Sequence, residues 1–156
     1  MTIRLLTLTL LLVLASTSCV REVDIENARG EITSIGALAI DSANNVVIPF
    51  TVRDLEGDDQ AVAVDICDAP GDNCGVAFHG GGDPLDRLPT IPKNSDVLHE
   101  FHWAAGCGRY LDDGFVPQAL DDEFVVALYV LPSDGDAVYS EPTSLAALGA
   151  TEISCE

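Results

Sequence analysis

The chain is predicted to be all-β, a single antiparallel β-sandwich of six to seven short strands, on three observations. Apolar side chains recur at every second position, clusters of Asp, Gly, Pro and Asn separate those runs, and no stretch carries the 3.6-residue period of a long amphipathic helix. Size agrees: 156 residues, 47% of them hydrophobic, suffice for one core and are too apolar for a disordered polyanion.

Glu31 to Asp41 reads as extended. From Asn45 to Leu55, Val46, Ile48, Phe50 and Val52 alternate with Pro49, Thr51 and Arg53. That is a half-buried strand in which Pro49 predicts an edge or a bulge. Glu56 to Asp59 form a polar turn, and Val62, Val64 and Ile66 resume the alternation, so the two runs are expected to pair as a hairpin. Residues 68–96, with Gly80, Gly81 and Gly82 inside, read as a long mobile loop of the kind that carries binding surfaces. Val97 to Trp103 is extended again. Phe124 to Leu131 is apolar on both faces, as a central strand requires, and Ser133-Asp134-Gly135 turns the chain so that Ala137 to Ser140 returns antiparallel until Pro142. Thr143 to Leu148 is rich enough in Ala and Leu for one helical turn. In order and spacing, residues 31–150 resemble immunoglobulin-like and fibronectin type III-like modules of bacterial surface proteins. The resemblance is one of pattern, because Trp103 lies in a late segment and not between two paired core cysteines.

The amino end reads as an address. Arg4 gives a positive start, Leu5 to Ala15 is an apolar run about half the ~20 residues that span a bilayer, and Ser16, Thr17, Ser18 and Cys19 follow. This pattern resembles a bacterial lipoprotein precursor, with Ser16 where the lipobox usually has Leu. The resemblance implies a signal peptide over 1–18, acylation of Cys19, a polar tether over 19–30 and a domain over 31–156. Ordinary signal-peptide cleavage is the competing reading, because Ser16 and Ser18 are also the small residues that a non-lipoprotein signal peptidase accepts. Cysteine parity separates the two. With Cys19 carrying lipid, Cys67, Cys74, Cys107 and Cys155 are left to form two disulfides in an oxidising compartment, whereas five thiols leave one unpaired. Cys67 with Cys74 and Cys107 with Cys155 is the simplest pairing, and the crossed pairings stay open. A tetrathiolate zinc site lacks any Cys-x-x-Cys knuckle.

Charge narrows the partners. With 26 acidic against 7 basic side chains and a net charge of −19, the chain repels phosphates and offers no basic stripe to nucleic acid. It would also be pushed from anionic headgroups, so lipid must do the anchoring. The expected location is the cell envelope, attached to the outer membrane or cell surface.

Chemistry is sparse. His99, Glu100 and His102 invite a metal, but on a strand His99 shares a face with Phe101 and Trp103 while Glu100 and His102 face the other way. The Gly80–Gly82 run has no lysine to hold a phosphate. No Gly-x-Ser-x-Gly elbow is present. Acidic clusters at Asp54, Glu56, Asp58 and Asp59, at Asp112, Asp113, Asp121 and Asp122, and at Asp134 and Asp136 could offer oxygens to calcium, although none has the EF-hand spacing. The Asp54–Asp59 turn is the first place to look for such an ion. No other cofactor is expected. The sequence therefore reads as a noncatalytic structural or recognition module, with protein or glycan ligands at its loops. The alternative is a small exported cation-dependent hydrolase using loop carboxylates.

Overall fold

The computed structural model describes residues 29–107, 115–132 and 137–153. The proposed signal peptide, Cys19, most of the tether, Asp112, Asp113, Asp134, Asp136 and Cys155 lie outside them. Ten strands occur among the described residues: β1 (Glu31–Ile35), β2 (Ala39–Ile40), β3 (Val46–Arg53), β4 (Val62–Ala69), β5 (Asp72–Val76), β6 (His79–Gly82), β7 (Val97–Trp103), β8 (Glu123–Val130), β9 (Val138–Tyr139) and β10 (Thr143–Ser144). They form two antiparallel sheets. One runs β1-β3-β7-β6 with β2 also on β3, and the other runs β10-β8-β4-β5 with β9 also on β8.

The alternation in the sequence sets which side chains meet between the sheets. Val46, Ile48, Phe50 and Val52 of β3 and Phe101 and Trp103 of β7 join Val62, Val64 and Ile66 of β4 and Phe124, Val126, Leu128 and Val130 of β8 in one core. Trp103 meets Phe124 edge to face at 5.1 Å, an arrangement that suits the ring quadrupoles. The sheets thus stack face to face in a sandwich-like body. β8 is buried on both faces, as its apolar run requires: Val125 and Ala127 cover the outer side together with Cys67.

Five expectations need correction. Strands number ten among the described residues and not six to seven, because β2, β5, β6, β9 and β10 are only two to five residues long and carry no clear apolar period. β3 and β4 are not a hairpin: β3 pairs β7 from Val46↔Trp103 to Val52↔Val97, and β4 pairs β8 from Val62↔Val130 to Cys67↔Val125. Period two tells which face is buried but not which strand lies alongside, and the 54–61 link crosses from one sheet to the other. Of the edge or bulge expected at Pro49, the edge is wrong and the bulge is right: β3 is central, and between Ile35↔Phe50 and Ala39↔Val47 three residues face two. The Pro49 carbonyl accepts from Gly36 N at 2.7 Å, so its missing N–H faces the break between β1 and β2, where no ladder bond is lost. Residues 68–96 are not one loop, because β5 and β6 lie within them, and Gly80–Gly82 belong to β6. Thr143 to Leu148 forms a short strand and a turn, with no helix.

Cys67 and Cys74 are disulfide-bonded as expected, as a directly opposed pair across the β4–β5 hairpin. Cys107 is also in a disulfide, whose other half lies outside the described residues.

The registers define two poles. Glu31 sits opposite Arg53 and Val62 opposite Val130, so the start of β1, the 54–61 link, the 83–96 connection and the exit from β8 share one pole. The 41–45 turn, the 70–71 turn, the end of β7 and residues 145–153 share the other.

Candidate functional site

β7 alternates as the sequence requires: His99, Phe101 and Trp103 point into the core, and Glu100 and His102 point out. The imidazoles therefore lie on opposite sides of the sheet and cannot share an ion. On the outer side His102 Nδ1 is 2.9 Å from Asp41 Oδ2, and its Nε2 is 2.7 Å from Glu100 Oε1. Asp41 is fixed by its own turn, accepting from the backbone N–H of Ala43 and Asn45 at 2.8 and 2.9 Å and from Asn45 Nδ2 at 3.2 Å.

Two carboxylates can only accept, and neutral imidazole has one N–H, so the imidazolium alone satisfies both bonds. The Glu100 hydrogen bond raises the His102 pKa above its ordinary 6.5. Burial opposes this and Asp41 reinforces it. For Asp41 burial pushes the carboxyl up, but the bonds from Asn45, His102 and Ala43 together bring it below the ordinary 3.8. The network consumes both ring nitrogens, which leaves no lone pair for a nucleophile or a metal. It acts as a clasp between the 41–45 turn and β7.

A pH dependence follows with a definite sign. The raised His102 value gives stability that is fully present below about pH 6.5 and is lost as pH rises through the folded value. The lowered Asp41 value gives stability present above about pH 3.8 and lost as pH falls through its folded value. Substituting His102→Gln is expected to cost about 0.5–1 kcal/mol at pH 5.5, a screened surface-network magnitude, and less at pH 9. Urea unfolding at the two pH values measures it, and an equal cost at both would refute the clasp.

His99 is buried at 4% exposure against Phe50, with ring centroids 5.7 Å apart. Its Nδ1 lies 3.4 Å from Asp83 Oδ2, and its Nε2 has no hydrogen-bond partner. On the second sheet, Tyr129 donates to Asp65 Oδ2 at 2.9 Å, and burial first and this bond second push the phenol up.

The Asp54–Asp59 turn, the first place to look for calcium, has an internal order of its own. Asp54 is 1% exposed. Its Oδ1 accepts from the backbone N–H of Glu56, Gly57 and Asp58, and its Oδ2 accepts from Gln60 Nε2 at 3.1 Å. The carboxylate organises the turn from inside. Asp59 Oδ2 faces Arg87 Nε at 3.8 Å, and the Asp58 carbonyl accepts from Thr90 Oγ1. Asp122 Oδ2 likewise accepts from the N–H of Gln118 and Ala119. Among the described residues no three His, Cys, Asp or Glu side chains converge as metal ligands. No helix there is long and apolar enough to cross a membrane.

A groove of about 470 Å³ opens between the β1–β2 break and β9–β10, lined by Gly36, Leu38, Tyr139, Pro142 and Leu148 among others. Sequence reading missed both this groove and the Asp41–His102–Glu100 network. The second had a signal: outward Glu and His two positions apart on a strand are neighbours on one face. Its third member, 61 residues earlier, had none. Compared with models of known families, with curated proteins and with solved structures, the chain matches none.

Proposed function

We infer that the chain is a noncatalytic, lipid-anchored module of a bacterial cell envelope, built on an immunoglobulin-like sandwich and serving structure or recognition through its loops. The observation that carries this reading is strand order. An immunoglobulin sandwich sets A, B, E and D in one sheet and C, F and G in the other, with C′ added beside C in some members. β1-β3-β7-β6 facing β5-β4-β8-β9 follows that order, with β1 and β2 as a broken A and β9 and β10 as a broken G. Support for a noncatalytic role comes from how the polar groups are used. The His102 imidazole and the Asp54 carboxylate close hydrogen bonds within the domain. The anchor rests on the lipobox-like end at Cys19 and on cysteine parity, since lipid on Cys19 leaves an even number of thiols to pair.

Mass spectrometry of the mature protein from membranes tests the reading. The expected result is a diacylglyceryl group on Cys19 and no free thiol, with Cys107 linked to Cys155. An unmodified amino terminus after a different cleavage would overturn the localisation. Thermal melts with calcium and with chelator are expected to coincide, and a calcium-dependent shift of several degrees would favour a cation-using role instead.

A further inference from the structure

The two poles differ in charge and polarity. The basic side chains among the described residues are Arg29, Arg53, Arg87 and Lys93, and all four belong to the pole where β1 begins. Arg29 precedes β1, and Arg53 ends β3 opposite Glu31. Arg87 and Lys93 lie in the 83–96 connection, facing Asp59 and Gly57 of the neighbouring turn. Acids outnumber them, with Glu31, Asp54, Glu56, Asp58, Asp59, Asp86 and Asp96 at the same pole and Arg53 pairing with Asp96 at 2.8 Å, so this pole is mixed in sign and less acidic than the other. The far pole carries Asp41, Asp68, Asp72, Asp121, Asp122, Glu123, Glu141 and Glu152, with no Arg or Lys among its described positions and the His102 imidazolium enclosed between Asp41 and Glu100.

The same mixed pole presents three large apolar side chains on three separate loops: Leu55 at 57% exposure, Ile91 at 73% and Leu131 at 43%. The loops are tied together. Asn94 N donates to Asp54 O at 2.6 Å, Thr90 Oγ1 to Asp58 O at 2.6 Å, and Leu131 N to Ala61 O at 2.8 Å. Leu98, 70% exposed and paired with Thr51, lies on the adjoining sheet face. Of the other exposed apolar side chains, Val76, Phe78 and Tyr139 lie away from this pole.

The chain also enters the domain at this pole, and only residues 20–28 separate Cys19 from Arg29. Ten peptide steps reach at most about 35 Å, which puts this pole within reach of the membrane that holds an acylated Cys19 and leaves the choice of face to the surface chemistry. Apolar side chains at headgroup depth gain from burial, basic side chains gain from lipid phosphates, and the more acidic pole is driven outward. We propose that the pole bearing Leu55, Ile91 and Leu131 rests on the phospholipid bilayer that holds the acylated Cys19, with the acidic far pole turned to solvent. This rests on the anchored reading above. It leaves the 41–45 and 69–72 turns facing outward, where a partner would meet the domain.

The test uses full-length acylated protein with phosphatidylcholine vesicles containing brominated phosphatidylcholine, which quenches indole emission at short range. Leu55→Trp and Ile91→Trp add a reporter at exposed positions of this pole, Ala147→Trp adds one at the far pole, and buried Trp103 is a constant background. Emission from the two near reporters is expected to fall about twofold, as for side chains seated ~5–10 Å into the interface, with little change at the far one. Flotation with the vesicles reads anchoring separately. Protein that does not float refutes the anchor and this orientation with it. Protein that floats with the near reporters unquenched, or with all three quenched alike, refutes the orientation alone.

Discussion

Substituting Asp54→Ala is expected to destabilise the domain by about 3 kcal/mol, read as a lower urea midpoint at unchanged m-value. One carboxylate serves four donors: the N–H groups of Glu56, Gly57 and Asp58, and the Gln60 side-chain amide. Alanine leaves the three backbone donors without an acceptor in a place where Asp54 itself is 1% exposed, and leaves the Gln60 amide only its 3.3 Å bond to the Asp58 carbonyl. Water can reach the half-exposed Glu56 and Gly57, which offsets part of the loss, but not the buried Gln60. Gln60 is also bound elsewhere, since its Oε1 accepts from Gly30 N at 3.3 Å and its backbone pairs with Leu88. Its amide is therefore not free to turn over, and the damage spreads to the start of β1 and the 83–96 connection. Asp54→Asn keeps an acceptor for the three backbone donors and loses only the Gln60 bond, so about 1 kcal/mol is expected. Equal losses for Ala and Asn would show that the turn does not depend on those backbone donors. A loss below about 0.5 kcal/mol for Ala would show that Asp54 does not organise it.

That turn shows where sequence reading stopped. Asp54-Leu-Glu-Gly-Asp carries oxygen ligands at alternate positions, which is also what a tight turn needs, and composition cannot tell a carboxylate facing solvent from one facing its own backbone. The strands with strict alternation were legible: Val46 to Val52 and Val62 to Ile66 bury the side chains that the pattern assigns to the core, and Phe124 to Val130 is central because it is apolar on both faces. The face of each β7 residue was legible for the same reason. Partners were not, because a strand's period carries no label for its neighbour; hence the false β3–β4 hairpin. β5 and β6 were illegible because Asp-Asn-Cys-Gly-Val and His-Gly-Gly-Gly lack an apolar period, as edge strands with little to bury do.

β6 also supplies the other large effect expected, for Gly82→Ala. Gly82 has φ of 84°, in the left-handed region, and a Cβ there would strike the Glu100 carbonyl oxygen and come within 3.0 Å of the Glu100 carbonyl carbon and of the His102 ring. Backbone cannot give way as a flexible side chain can, so β6 must lift from β7. Lifting strains the Asp83 N to Glu100 O bond of 2.7 Å and the Glu100 N to Asp83 Oδ2 bond of 3.0 Å. It also shifts the outer clasp, because Glu100 and His102 stand beside the intruding methyl. Backbone strain and the broken pairing together amount to about 3 kcal/mol, or roughly 10 °C in Tm for a domain of this size. Gly149→Ala separates the contributions. Gly149 has φ of 89° but nothing within 4 Å of a Cβ, so its variant carries the conformational cost alone, about 1 kcal/mol. A loss at Gly82 two to three times that at Gly149 is the expected result of paired thermal melts. Equal losses would mean that the triple glycine serves only backbone conformation, and that close approach of β6 to β7 is not what requires Gly82.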